Sequence, residues 1–488
     1  MRAQASSLPF WCGALNRAKV KVANRSSIMA NQPETGESLY QASEKIHPRE
    51  IGGRFQRLRV LAVLALLGLY YVMPWVQWDG RQAILFDLPS RQFYIFGMVF
   101  WPQEFYFLSA LLIIAAISLF FFTALAGRLW CGYACPQTVW TEVFLWMERW
   151  TEGPATKRKK LDKGPWTREK ILRKTSKQAV WILFALFTGF TFVAYFSPAT
   201  ELASRLASFS LGPWETFWTL FYGFATYGNA GYMREQVCKY MCPYARFQGA
   251  MFDPDTLIIS YDEERGEPRG PRKRGIDHRA KGLGDCIDCK LCVQVCPTGI
   301  DIRDGLQYEC IACAACVDAC DSVMDKMGYP RGLVRYSSER GMEGKRTKVL
   351  RPRIFLYGTL LTILAAVFVT ALAMRSPVGL DVLPERNPMF RESGFGDIEN
   401  IYTLKVINKD SEPRTFEVEV SGLTGAELSL RPETVSVRPG GVQDIIATVT
   451  VNMEHLEDRT SDVYFTITRT DDESVSTTTR TRFHGPAR

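Results

Sequence analysis

Residues 286–320 read CIDCKLCVQVCPTGIDIRDGLQYECIACAACVDAC. The cysteines fall as Cys286-x2-Cys289-x2-Cys292-x3-Cys296-Pro297 and again as Cys310-x2-Cys313-x2-Cys316-x3-Cys320. This is the bacterial ferredoxin spacing written twice. Three thiolates two residues apart wrap three corners of a 4Fe–4S cube, and the fourth Cys of each run points to the other cluster. The expected ligand sets are therefore Cys286, Cys289, Cys292 and Cys320 for one cluster, and Cys310, Cys313, Cys316 and Cys296 for the second. Zinc in paired knuckles gives no reason for a third Cys two residues on or a fourth three further. Asp321 stands where many ferredoxins place Pro after the last Cys.

Around this stretch the 488-residue chain alternates long uncharged runs with basic segments, so its 47% hydrophobic and 23% charged composition misleads as an average. Five runs, Val60–Trp78, Phe105–Ala126, Gln178–Ser197, Thr216–Met233 and Ile354–Met374, contain no Asp, Glu, Lys or Arg. Each is close to the ~20 residues that cross a bilayer as a helix. A soluble single-core enzyme is excluded, as are disordered and collagen-like chains. Lys+Arg between the runs number 10, 2, 12, 1, 21 and 13 from N- to C-terminus, and short cytoplasmic loops keep their positive charge. The expectation is an N-terminus inside, five spans, a cytoplasmic cluster loop and an external tail. Thr216–Met233 is the weakest span, because Gly223, Gly228, Asn229 and Gly231 suit packing or a lined cavity better than lipid contact. Phe93–Trp101 is too short to span and reads as an interfacial or re-entrant segment. Residues 1–28 lack a signal-peptide core, and Met29 opens a polar segment resembling an ordinary bacterial start, which makes 1–28 dispensable.

The remaining paired cysteines form an internal repeat. Cys131-Gly132-Tyr133-Ala134-Cys135-Pro136 follows the second run and Cys238-Lys239-Tyr240-Met241-Cys242-Pro243 follows the fourth, sharing C-x-Y-x-C-P at residues 131–136 and 238–243. On a helix, i and i+4 side chains are neighbours, so each pair can present two sulfurs to one point, and Pro ends the helix after the second. One reading makes these small apolar residues at helix ends. The other makes Cys131, Cys135, Cys238 and Cys242 a thiolate site for a soft metal such as Cu(I), or a redox relay to the clusters. Only Cys12 stands outside both patterns.

Other chemistry is missing. The four histidines, His47, His278, His455 and His484, lie outside the runs, which excludes a bis-His membrane haem. No Walker A motif and no dinucleotide fingerprint is present. The run Lys157–Lys160 reads as a solvated face meeting anionic headgroups rather than nucleic acid. From Ser376 onward, candidate strands Ile401–Val406, Thr415–Val420, Val435–Val437, Ile445–Val451, Val463–Thr468 and Ser474–Arg482 are separated by turn signals, as in an immunoglobulin-like β-sandwich.

The domain plan is a cytoplasmic segment 1–59, four transmembrane helices within 60–233, and a cytoplasmic loop 234–353 whose ferredoxin domain occupies about 280–325. A fifth transmembrane helix at 354–374 and a periplasmic Ig-like β domain at 375–488 complete it. The fold class is a multi-domain membrane protein: a five-helix transmembrane α part, a bacterial-type two-cluster ferredoxin domain and a C-terminal immunoglobulin-like β-sandwich. The order of spans, twin C-x3-C-P motifs, double ferredoxin loop and β tail resembles the CcoG/FixG/RdxA family of cytochrome c oxidase accessory proteins, membrane polyferredoxins. The stretch Tyr329-Pro330-Arg331-Gly332-Leu333-Val334-Arg335-Tyr336 adds to the likeness.

The resemblance implies a place in the bacterial inner membrane and reduction of Cu(II) to Cu(I) for assembly of a cbb3-type oxidase. It also implies contacts with oxidase subunits or copper chaperones and an electron donor in the cytoplasm. It carries the eight ferredoxin cysteines over as cluster ligands, and Cys131, Cys135, Cys238 and Cys242 as copper or redox thiols. A quinol-oxidising polyferredoxin subunit and a non-catalytic assembly scaffold are the alternatives.

Overall fold

The computed structural model describes residues 45–275, 277, 279–393, 396–410, 412–456 and 458–486. The expectations for residues 1–28, Met29, Cys12 and His278 fall outside them. The helical part runs through α1 (Arg54–Val72), α2 (Phe105–Ala126), α3 (Leu129–Tyr133), α4 (Pro136–Glu152), α5 (Ala155–Lys163), α6 (Arg168–Val193), α7 (Ala199–Ala207) and α8 (Pro213–Thr226), and closes with Pro352–Ala373. Among the described residues, four helices are long and apolar enough to cross a membrane: Arg54–Trp75, Pro102–Ala126, Arg168–Val193 and Pro352–Ala373. Their outward side chains, such as Leu111, Leu112 and Ile113, are exposed leucines and isoleucines, as a helix apolar on all sides requires of lipid-facing surface.

The run Thr216–Met233 departs from the expected single span. The α-helix α8 has 14 residues and passes into a π-helical stretch, Tyr227–Met233. The cause is local. Gly231 lies under the Trp181 ring, where an added Cβ would sit 3.2 Å from ring carbons. The Gln137 amide donates to the Asn229 and Arg234 carbonyls at 2.8 and 3.0 Å, and Asn229 O also takes the i→i+5 bond from Arg234 N at 2.8 Å. Higher up, Gly189 of α6 and Gly223 of α8 let the two backbones touch. A Cβ on Gly189 would meet the Thr219 carbonyl at 2.2 Å, the small-residue contact that packs helices in lipid.

Two ends of the helical part carry different domains. At one end the ferredoxin segment meets the start of α1, the end of α2 and the start of the last helix. Asp318 accepts from Phe55 N and Gln56 N at 3.2 and 2.7 Å and so caps α1 from another domain. At the other end lies the β-sandwich. Its first sheet orders Glu427–Arg431, Val442–Asn452, Asp397–Asn408 and Val378–Pro384, with Arg391–Glu392 beside Asp397–Asn408. Its second orders Val435–Val437, Arg414–Ser421, Thr460–Arg469 and Asp472–His484. All pairings are antiparallel. The core is built from alternating residues such as Leu404, Val406, Ile445, Val449, Phe465 and Ile467.

Three strands beyond the six expected complete the sheets: Val378–Pro384, Arg391–Glu392 and Glu427–Arg431. The last is a short edge strand whose apolar face is only two residues, Leu428 and Leu430, both half-buried against the core.

Phe93–Trp101 is not re-entrant. Strands Ile84–Asp87, Gln92–Ile95 and Met98–Phe100 form a small antiparallel sheet that turns at Phe96-Gly97. Buried Val99 and Trp101 pack on Ile407 of the sandwich. A second correction concerns the basic run 157–160. It lies on α5 with Arg158 buried against Glu148 at 2.6 Å, while Lys157, Lys159 and Lys160 remain exposed.

One buried carboxylate adds to the contacts that hold the β-sandwich to the helices. Glu104 receives Arg375 at 2.6 Å and Lys409 at 2.9 Å. Glu104→Ala leaves two cations facing each other in a buried site, and is expected to cost roughly 3 kcal/mol. Thermal unfolding and protease cleavage near residue 376, measured on the detergent-purified chain, check this; an unchanged midpoint with unchanged cleavage refutes it.

Candidate redox centre

The two ferredoxin cysteine runs share a backbone signature. Asp288 and Lys290 in the first run and Ala312 and Ala314 in the second have φ of 51°, 54°, 52° and 58°. These are the same positions relative to Cys286 and Cys310. Left-handed conformation at a non-glycine residue costs about 1–2 kcal/mol each. Repeated in register, it curls each loop so that its amides face inward, and it persists where a bound group repays the strain.

Each loop closes on a cavity. One, with about 380 Å³ of unfilled space, is lined by Cys286, Cys289, Cys292 and Cys320. The other, with about 330 Å³, is lined by Cys296, Cys310, Cys313 and Cys316 and also by Cys292, which faces both cavities. The tertiary structure thus gathers three thiols of one run with the last thiol of the other, twice. Burial pushes the Cys292 thiol up to about 11 and those of Cys310 and Cys320 up to about 12, with neighbouring thiols adding to the rise. Such a donor set is unfavourable as bare thiolates and fits a cationic iron centre that compensates their charge. Among the described residues no three His, Cys, Asp or Glu side chains converge as a single metal ion requires, whereas a cube gives each thiolate its own iron.

The Asp at the position after the last Cys has a structural use. Asp321 accepts from Gly332 N at 2.9 Å, tying the cluster helix Ala315–Met327 to the strand Val334–Ser337, which pairs with Ile258–Tyr261.

The twin motifs adopt one design. Cys131 lies in α3, and Cys135 is the extended residue (φ −60°, ψ 129°) before Pro136 at the start of α4. Cys238 lies in a π-helical turn, Val237–Met241, and Cys242 is extended (φ −78°, ψ 111°) before Pro243. The second Cys of each pair is therefore a helix N-cap rather than the next turn of the same helix, because Pro denies it helical geometry. The motifs also meet. The thiols of Cys131, Cys135, Cys238 and Cys242 lie close enough to raise one another's pKa. Burial, the larger cause, takes Cys131 to about 11 and Cys238 to about 12. The fully buried Gln248 donates its amide to Cys131 Sγ at 3.4 Å. That residue carried no signal in the sequence.

The motif cysteines sit directly on the ferredoxin domain. Gly132 faces the backbone of Ile311, Ala312 and Cys313, and a Cβ there would lie 2.7 Å from the Ile311 carbonyl. Cys131 packs beside Ile311 and Cys313. Arg128 donates to the carbonyls of Ala245 and Cys310 and Lys239 to that of Thr298 at 3.0 Å; within the ferredoxin segment Tyr336 donates to the Ala312 carbonyl at 2.6 Å. A cavity of about 550 Å³ beside this seam is lined by Gln137, Thr138, Arg234, Cys238, Thr298 and Cys313.

A membrane-embedded iron–sulfur electron-transfer protein is the class that this fold and site define. Residues 233–339 match the family described as a 4Fe-4S dicluster domain, residues 108–154 a 4Fe-4S binding domain, and residues 368–486 the IG-like fold at the C-terminus of FixG. The chain is 42% identical to protein RdxB of Cereibacter sphaeroides over 418 residues, covering 82% of this chain and 87% of that one. It is 38% identical to nitrogen fixation protein FixG of Rhizobium meliloti over 480 residues, covering 89% and 92%. A crystal structure of a FixG-related protein from Vibrio parahaemolyticus, 29% identical, covers 22% of this chain and 97% of that one at a TM-score of 0.21. The chain belongs to the FixG/RdxA family.

Gly132→Val forces a branched side chain against the Cys313 loop. It is expected to cost about 1–3 kcal/mol and to change the electron paramagnetic resonance spectrum of the reduced protein, while Gly249→Val, at a site with nothing within 4 Å of an added Cβ, leaves the spectrum as it was. Identical spectra for both variants would remove the seam from the redox centre.

Proposed function

We propose that this protein uses its iron–sulfur centres to reduce Cu(II) to Cu(I) for assembly of a cbb3-type cytochrome c oxidase in the bacterial inner membrane. The N-terminus and cluster domain face the cytoplasm and the β-sandwich faces the periplasm, where it meets oxidase subunits or copper chaperones. Cys286, Cys289, Cys292 and Cys320 hold one 4Fe–4S cluster; Cys310, Cys313, Cys316 and Cys296 hold the other. Bound there, the clusters supply electrons one at a time, which matches a one-electron metal couple.

The observation that carries the copper reading is the gathering of Cys131, Cys135, Cys238 and Cys242 against the loop of Cys310 and Cys313. Cu(II) prefers nitrogen and oxygen donors while Cu(I) prefers sulfur, so a half-buried pair of these thiols favours the reduced ion without the three converging ligands that no described site offers. Each thiol releases its proton when it binds copper, and Gln248 steadies the resulting charge on Cys131. The ferredoxin spacing supports the cluster assignment, and so does the placing of Cys320 with the first run and Cys296 with the second, although Cys292 lines both cavities.

A quinol-oxidising reading draws on a different observation. In the 550 Å³ cavity between Cys238 and Cys313, buried Arg234 keeps Nη1 without a hydrogen-bond partner, and a quinone carbonyl is a suitable acceptor.

Two experiments test these assignments. The double variant Cys131→Ser/Cys135→Ser is expected to keep its cluster absorbance and lose most Cu(II) reduction by the pre-reduced protein. Undiminished copper reduction removes that pair from the mechanism, and re-oxidation by quinone alone selects the second reading. Cys320→Ser is expected to perturb the same spectroscopic centre as Cys286→Ser, and Cys296→Ser the same centre as Cys313→Ser. If Cys296→Ser instead groups with Cys286→Ser, the crossed ligand assignment fails.

A further inference from the structure

We propose that the face of the ferredoxin domain around Cys289 is the docking surface of an acidic, soluble one-electron carrier protein that loads the centre held by Cys286, Cys289, Cys292 and Cys320. The inference rests on that ligand assignment. Among the described cysteines, Cys289 alone is exposed. Each set has one buried cysteine, Cys286 and Cys313, and the second set has no exposed one; Cys313 packs near Cys131. The two centres therefore divide the work by position, one reaching solvent and one reaching the membrane-end thiols. Electron tunnelling falls steeply with distance, so a soluble donor reaches the chain best at Cys289.

The surroundings of Cys289 specify the charge of that donor. The next residue, Lys290, is exposed. Residues 268–275, PRGPRKRG, hold four Lys or Arg and no Asp or Glu, and Arg269, Lys273 and Arg274 among them are exposed. This segment is stitched to the cluster loop. Gly270 N donates to the Cys286 carbonyl at 3.2 Å, Gly284 N to that of Pro268 at 2.9 Å, and Arg272 Nη1 to that of Cys286 at 3.2 Å. Arg269, Lys290 and Arg303 all lie close enough to Asp288 to act on its carboxylate.

The nearby acids are largely engaged. Asp288 pairs with Arg303 at 2.6 Å, the buried Asp285 with Arg265 at 2.5 Å, and Glu267 accepts from Tyr261 at 3.1 Å while lying 3.6 Å from Arg269. Asp277 accepts from Ala280 N at 3.3 Å, and the exposed acids Glu263, Glu264 and Asp304 lie outside the run 268–275. A positive rim around an exposed ligand of a redox centre fits the brief, charge-steered encounters of electron-transfer partners, which rest on small, polar contacts. An anionic bilayer would satisfy the charge, but gives no reason for a cluster thiol at its middle. In the step itself the carrier is oxidised by one electron and the centre behind Cys289 is reduced by one; no proton or bond changes hands.

The test uses the full chain in zwitterionic nanodiscs, with iron counted, and a plant-type acidic [2Fe–2S] ferredoxin as probe. Binding of the oxidised ferredoxin is read by nuclear magnetic resonance titration, and cluster reduction by the reduced ferredoxin by stopped flow. Both are measured across a range of ionic strength. The variant Arg269→Glu/Lys273→Glu/Arg274→Glu/Lys290→Glu is expected to weaken binding and slow reduction by about tenfold or more, and to flatten the salt dependence. Its reduction by a zwitterionic viologen radical stays as in the wild type. Fully loaded protein whose binding and rate ignore the reversal overturns the docking surface. So does an effect that appears only when anionic lipid is added to the disc. Protein that binds the carrier normally yet lacks the irons of the Cys286 centre faults the ligand assignment instead.

Discussion

The contact of Gly132 with the backbone of Ile311, Ala312 and Cys313 is the constraint on which the remaining architecture turns. A ferredoxin domain and a membrane helix bundle fold for different reasons, one around its clusters and one in lipid. Function as an electron path requires the two to approach within a short distance. At this seam the absence of a side chain lets a membrane-end motif lie flat on a cluster loop. Arg128 and Lys239 then fix the approach through backbone carbonyls. Those acceptors survive side-chain variation on the ferredoxin side. Asp318 extends the same logic by capping α1 from between two cluster cysteines, so the first membrane helix and the cluster helix start from one anchor.

Beneath the seam the helices are clamped by charge. Glu148 is buried with Arg158 at 2.6 Å and Arg234 at 3.0 Å, and Glu152 with Lys174 and Lys177 at 2.9 and 3.0 Å. Lys177 and Arg234 also lie over the Trp181 ring. Desolvating so many ions is costly, and a buried network of this kind adds little net stability. What it supplies is register. The network ties α4, α5, α6 and the residue that ends the π segment, so the second motif is delivered opposite the first. Arg234 itself has φ 42°, a strained conformation held by its hydrogen bonds to Gly231 O and Glu148. Strain and buried charge thus accumulate on the element that carries Cys238.

Much of this molecule could be read along the chain. The cysteine spacing announces the ferredoxin domain because thiolate geometry around a cube is a local property of a few residues. Four of the five uncharged runs become helices fit to cross a membrane, since backbone polar groups in lipid must be satisfied within the helix. Six strands of the sandwich appear where apolar and polar residues alternate. In each case the chemistry that decides the structure acts over less than about one helix or strand length.

Packing between distant segments settled the rest. That the Cys131 and Cys238 thiols come near one another and that Gln248 holds the first of them are contacts between elements far apart in sequence. No local pattern encodes them. Phe93–Trp101 becomes a hairpin only because the β-sandwich offers Ile407 as a partner. The run 216–233 yields to a π-helix because Trp181 and Gln137 meet it from other helices. Periodicity and ligand spacing act through neighbouring residues and are written in the chain, whereas the meeting of two thiol pairs depends on how whole helices fill space, which is fixed only when the fold closes.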